Sequence, residues 1–103
     1  MNDVALARAA EQSALSVPGV LGISPGVGYV EATYGPGVEV QGVGIGHEDG
    51  RIVANIHVRV TNSPVPPLAR EVRKRVRSAL EAGSGLPVGP INVYVDDMAM
   101  ESA

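Results

Sequence analysis

The stretch Arg51-Ile52-Val53-Ala54-Asn55-Ile56-His57-Val58-Arg59-Val60 decides the fold. Ile52, Ala54, Ile56, Val58 and Val60 fall on one side of an extended chain, and Arg51, Val53, Asn55, His57 and Arg59 fall on the other. This period-two alternation marks a strand with one buried face. Just before it, Glu48-Asp49-Gly50 is a hairpin turn signal. Residues 38–47 then read as the partner strand, thinned by Gly42, Gly44 and Gly46. Further upstream, residues 27–34 carry β-branched and aromatic side chains between Pro25-Gly26 and Gly35-Pro36-Gly37, which predicts another strand.

Downstream of this strand, a proline-rich connection over residues 62–67 leads into a helix over residues 66–82. There Leu68, Val72, Val76, Ala79 and Leu80 form one apolar stripe. Proline is tolerated in the first turn because those N–H groups have no helical partner. Gly83 and Gly85 end the helix. Ile91, Val93 and Val95 alternate with Asn92, Tyr94 and Asp96 as a last strand. At the other end, residues 3–16 read as a short alanine-rich helix capped by Asn2 or Asp3 and stopped before Pro18. The order is α-β-β-β-α-β. It predicts an α+β two-layer sandwich, with about four mainly antiparallel strands and two helices over the apolar face of the sheet. Residues 1–97 form the single domain and residues 98–103 a flexible tail.

Composition sets limits. The chain has 103 residues, with 17 Val, five Ile and six Leu but only three Tyr and no Phe, Trp or Cys. Its core is therefore aliphatic, and a disulfide scaffold, a thiolate zinc site and a cysteine nucleophile are excluded. A net charge of −3 disfavours nucleic acid as a partner. No apolar run is long enough to cross a bilayer, and Asp3, Arg8 and Glu11 interrupt any secretory apolar segment.

Each candidate chemistry meets a structural objection. Gly22-Ile23-Ser24-Pro25-Gly26 matches the nucleophile elbow G-x-S-x-G. That elbow needs a backbone N–H after the serine to hold the oxyanion, and Pro25 has none. His47, Glu48, Asp49 and His57 offer metal-ligating types. With a two-residue Asp49-Gly50 loop, however, Glu48 pairs with Arg51 and Gly42 with His57. His47 and His57 are then roughly 17 Å apart at 3.3–3.4 Å per pair. An acidic turn followed by a solvated histidine is the preferred reading. A three-residue loop inverts every side chain of the upstream strand, and both registers fit the sequence. In the first register, Gly42, Gly44 and Gly46 lie beside Val53, Asn55 and His57, a track that admits close approach by another backbone. Asp96-Asp97 reads as a solvated acidic pair at a strand end. No catalytic, cofactor-binding or metal-binding residue is assigned.

Five of the eight basic residues, Arg70, Arg73, Lys74, Arg75 and Arg77, lie on the second helix away from its apolar stripe. Glu71 and Arg75 are spaced for an i, i+4 pair. The remaining cations form either a solvated face or a basic docking surface.

In order along nearly the whole chain, the sequence resembles the alkaline-shock, envelope-stress-response family of small bacterial proteins. The likeness rests on residues 52–60, on Val65-Pro66-Pro67-Leu68-Ala69-Arg70-Glu71-Val72, on Gly85-Leu86-Pro87-Val88, on Ile91-Asn92-Val93-Tyr94-Val95-Asp96, and on Val17-Pro18-Gly19-Val20 after the first helix. Two departures mark a divergent member: Thr61-Asn62 stands where the family often has Tyr-Gly, and residues 22–37 are rich in Gly and Pro. The resemblance implies a non-enzymatic scaffold of the cell-envelope stress response. Such a protein is cytoplasmic, reaches the inner face of the membrane through a membrane-anchored protein partner, and can self-associate. The expected contact residues are Asn55, His57 and Arg59 on the outer sheet face and Arg70, Arg73, Lys74 and Arg77 on the helix. The rival readings are a small RNA-contacting module using the basic helix and a small-ligand or metal-binding domain.

Overall fold

The computed structural model of the chain describes residues 1–99. Its centre is the strand that the alternation marks, paired on both sides. The elements are α1 (Asp3–Leu15), β1 (Val20–Ile23), β2 (Ala32–Gly35), β3 (Val38–Gln41), β4 (Val43–Glu48), β5 (Arg51–Thr61), α2 (Val65–Ser84) and β6 (Val88–Ala99). The first half of β5 pairs antiparallel with β4 and its second half with β1. Along its other side β5 pairs with β6 in parallel. That direction follows from the connection: a helix crossover returns the chain to the end of the sheet where β5 began. The α+β sandwich stands, with four strands in the main sheet.

Asp49 and Gly50 settle the register. Both have positive φ, 52° and 75°, as a two-residue type I′ turn requires. Glu48 therefore pairs with Arg51 and His47 with Ile52. The expected strand over residues 38–47 is broken at Gly42, whose φ is 84°. A Cβ there would collide with Ile23 Cγ2 and the Ser24 carbonyl. The chain turns at this point, so β3 leaves the main sheet and forms a separate two-stranded hairpin with β2. The Thr33 hydroxyl fastens this hairpin to β4, donating to the Val43 carbonyl (2.7 Å) and accepting from the Ile45 N–H (3.1 Å). Residues 20–23, to which the sequence assigns no element, form β1. Residues 27–31, expected in a strand, form a loop instead.

Asn2 caps α1 by accepting from the Ala5 N–H at 2.8 Å. The helix buries Leu6, Ala7, Ala10 and Ala14, a narrow face that lets α2 come close. Between the helices and the sheet lies the core: Leu6, Ile52, Ile56, Val58, Val60, Val72, Val76 and Leu80 are essentially inaccessible. Gly85 closes α2, its N–H donating to the Glu81 carbonyl. Met98 and Ala99, assigned to the tail from sequence, belong to β6 and pair with Val60 and Thr61. Met98 also packs against the core. The rest of that tail, residues 100–103, lies outside the described residues.

Candidate functional site

The helices cover one face of the sheet. On the other, the loop of residues 24–31 folds back across the middle of β5. The Glu31 N–H donates to the Pro25 carbonyl (2.9 Å), and the Glu31 carbonyl accepts from the Gly42 N–H (2.6 Å). Glu31 then passes over β4 at Gly44, where a Cβ would stand 2.5 Å from Glu31 Oε2. The glycine track thus admits a close approach, and what approaches is this chain's own glutamate.

Glu31 reaches His57. His57 Nε2 lies 3.0 Å from Glu31 Oε1, and Nδ1 lies 2.9 Å from Asp96 Oδ2 of β6. Tyr94, the parallel-strand neighbour of His57, stacks on the imidazole with centroids 4.6 Å apart and planes at 14°. Tyr29 meets the ring edge-on at 6.1 Å. His57 is 2 % exposed. The solvated histidine expected from sequence is therefore corrected: loop, glutamate and two tyrosines enclose it. Partial desolvation first, and then the charge of Glu31, push the Tyr29 phenol above its ordinary 10.0, with smaller contributions from Tyr94 and Asp96.

This arrangement occupies both ring nitrogens. Each is engaged by a carboxylate from a different element, so the two carboxylates lie on opposite sides of the ring and cannot share a cation with it. Among the described residues no group of three His, Cys, Asp or Glu side chains could hold a metal ion. His47 is exposed and bonds Asp3 of α1 at 2.9 Å, away from His57. The Ser24 hydroxyl accepts from the Gly26 N–H (3.2 Å). Both nitrogens of His57 face carboxylates and not this hydroxyl. A shallow cavity of about 440 Å³ beside the site is lined by Glu31, Gly44, Gly46, Glu48, Asn55 and Asn92, among others.

The other residues singled out in the sequence separate into two groups. Asn55 accepts from the Asn92 amide across β5 and β6 (2.9 Å). Arg59 is exposed, with its guanidinium lying over Gly22 of β1. On α2, Arg75 donates to Glu71 (2.9 Å) and to the Ser16 carbonyl (2.8 Å), tying α2 to the end of α1. Arg77 donates to the Val88 carbonyl (2.7 Å) and the Gly89 carbonyl (3.2 Å), holding the start of β6. Arg77 is thus a structural tie. The side chains of Arg70, Arg73 and Lys74 make no ion pair or hydrogen bond among the described residues. Arg70 and Lys74 are exposed and Arg73 is half-buried.

Sequence reasoning missed Tyr29, Glu31, Tyr94 and Asp96 as neighbours of His57. The alternation already put Tyr94 and Asp96 on one side of the last strand. Only the parallel pairing of β5 with β6 adds that this side is the side of His57.

These features define a small α+β domain whose buried polar side chains all have partners among the described residues, with a cationic stripe on one helix. The chain belongs to the alkaline shock protein family, described as having a cell envelope-related function, whose model matches residues 1–100. Among solved structures, the fold is similar to MamM CTD in its copper form, with a TM-score of 0.55 at 15% identity over 98% of this chain and 91% of that one. It is also similar to a variant of MamM CTD in its manganese form, with a TM-score of 0.52 at 17% identity over 93% and 99% of the two chains. No curated protein matches the sequence. Among the described residues no helix is long and apolar enough to cross a membrane.

Proposed function

We propose that this chain is a non-enzymatic interaction protein of the bacterial cell-envelope stress response. It is cytoplasmic and held at the inner face of the membrane by an anchored protein partner, with self-association as a second mode of assembly. Arg70, Arg73 and Lys74 carry the docking surface. They fall at i, i+3 and i+4 on one side of α2, and their side chains make no ion pair or hydrogen bond among the described residues. That contrast with Arg75 and Arg77 is the observation that supports the reading. Three cations with no partner among the described residues, on a rigid helix, suit an acidic protein segment, to which they add both attraction and orientation. Asn55 and Arg59 form a secondary contact on the outer face, while His57 lies beneath that surface.

The test is recovery of partners from membrane and soluble fractions of the native host, with and without nuclease, using wild-type chain and the triple variant Arg70→Glu/Arg73→Glu/Lys74→Glu. A specific membrane protein is recovered by the wild type despite nuclease and lost with the variant, at unchanged thermal stability. Equal recovery by both chains would remove α2 from the docking surface. The basic stripe also admits an RNA reading, against which stand the net acidity of the chain and its three tyrosines. Recovery abolished by nuclease would put RNA first.

A further inference from the structure

We propose that the proton on His57 is a latch: it fastens residues 25–31 to the outer face of the sheet, and its loss releases them. This goes beyond the docking surface and does not depend on it.

Geometry supplies the reason. Both ring nitrogens face carboxylate oxygens at hydrogen-bonding distance, Nδ1 toward Asp96 and Nε2 toward Glu31. A doubly protonated imidazolium has an N–H for each. A neutral ring has only one N–H, so one carboxylate must then face a nitrogen lone pair. With His57 2 % exposed, water does not readily reach the ring nitrogen, and an unmade bond to a largely covered carboxylate is costly.

The two carboxylates are not held alike. Asp96 sits within β6, whose ladder with β5 continues on both sides of it at Val95 and Asp97. Glu31 ends a loop that is fixed locally by the Pro25 and Gly42 backbone contacts. The Glu31 contact is therefore the one that yields. Segment 25–31 carries the exposed side chains of Val27, Tyr29 and Val30, so its release moves an apolar strip and uncovers His57.

The groups around the ring from every packed element are few. The loop contributes Glu31 and Tyr29, and β6 contributes Asp96 and Tyr94. On β5 the nearest charge on this face is Arg59, whose guanidinium lies over Gly22. β4 presents Gly44, with Gly42 just before it, and β1 presents Gly22, with Ser24 just after it, none of them titratable. Two carboxylates thus flank one imidazole, and histidine is the one side-chain type among these groups whose ordinary charge change falls between about pH 5 and 8.

The experiment follows imidazole protonation by long-range proton–nitrogen spectra from about pH 5 to about pH 9, around the ordinary histidine range. Backbone order parameters of residues 25–31 are measured at the two ends. The expected result is a fall from the rigid value of about 0.85 to below about 0.6 as His57 loses its second proton, while β5 and β6 stay rigid. In Glu31→Gln the carboxamide offers both a donor and an acceptor, so it pairs with either form of the ring and the segment stays ordered at both ends. Three results overturn the latch. The segment keeps its order through the loss of the proton, the ring shows no change of protonation across the range, or Glu31→Gln loosens as the wild type does. Should Glu31→Gln fail to fold, the wild-type order parameters alone decide.

Discussion

His57 carries the sharpest residue-scale consequence. Read along β5, it occupies an outward position of a half-buried strand, and the same alternation correctly sends Arg51 and Arg59 to the surface. What buries it comes from elsewhere in the chain: Glu31 and Tyr29 from a loop, Tyr94 and Asp96 from a strand 37 and 39 residues further on. No local period encodes that convergence. The inward side of β5 was legible because its pattern is self-contained, whereas the outward side depends on long-range pairing. The substitution His57→Glu, a mild change on a solvated strand face, is therefore severe here. It places a third carboxylate between Glu31 and Asp96 and removes the ring that hydrogen-bonds to both. Leaving carboxylates uncompensated in this largely buried site costs about 3 kcal/mol or more, to be read as a lower urea midpoint at unchanged slope. A midpoint within error of wild type would mean that the ring is not the closed, doubly hydrogen-bonded centre its contacts describe.

At the scale of elements, glycine marks where the sequence misleads and where it informs. Asp49-Gly50 is a turn by composition, and positive φ at both residues bears that out. Gly42 has the same composition-level signature as Gly44 and Gly46, all three reading as thin places in one strand. Yet Gly42 alone of these has positive φ, and it alone ends one sheet and begins another. The difference lies in Ile23 and Ser24, which crowd the space a side chain at position 42 would need. Since these residues lie in β1 and just after it, the break is a tertiary decision. Similarly, β1 is too short and too glycine-rich to announce itself, and it becomes a strand by pairing with the end of β5. Two alanine substitutions separate the effects. Gly50→Ala bears only the positive-φ penalty, about 1 kcal/mol, because nothing lies near its side chain. Gly42→Ala adds a clash with backbone and costs about 1–3 kcal/mol more. Equal denaturation midpoints for the two would show that the crowding at Gly42 relaxes freely.

On the scale of the whole molecule, the sheet separates two kinds of charge. The chain is acidic overall, yet five of its eight cations sit on α2, across the sheet from Glu31 and Asp96. Of those five, Arg75 and Arg77 are spent on joining α2 to α1 and β6. That division could not be read from the helix pattern, because i, i+4 spacing identifies Glu71 with Arg75 but not the carbonyls of Ser16, Val88 and Gly89. The free stripe of Arg70, Arg73 and Lys74 is exposed enough to be screened by salt over a Debye length of about 10 Å at 0.1 M. Partner recovery through it therefore falls as salt rises from low to physiological strength. Each charge removed flattens that dependence, so Lys74→Glu alone weakens recovery less than the triple variant does. Because the latch lies on the opposite face and involves none of these cations, Glu31→Gln leaves both the recovery and its salt dependence as in the wild type. Recovery that is indifferent to salt, at wild-type stability, would instead point to an apolar contact and move the docking surface from α2 to the strip of Val27, Tyr29 and Val30, where Glu31→Gln would then be felt.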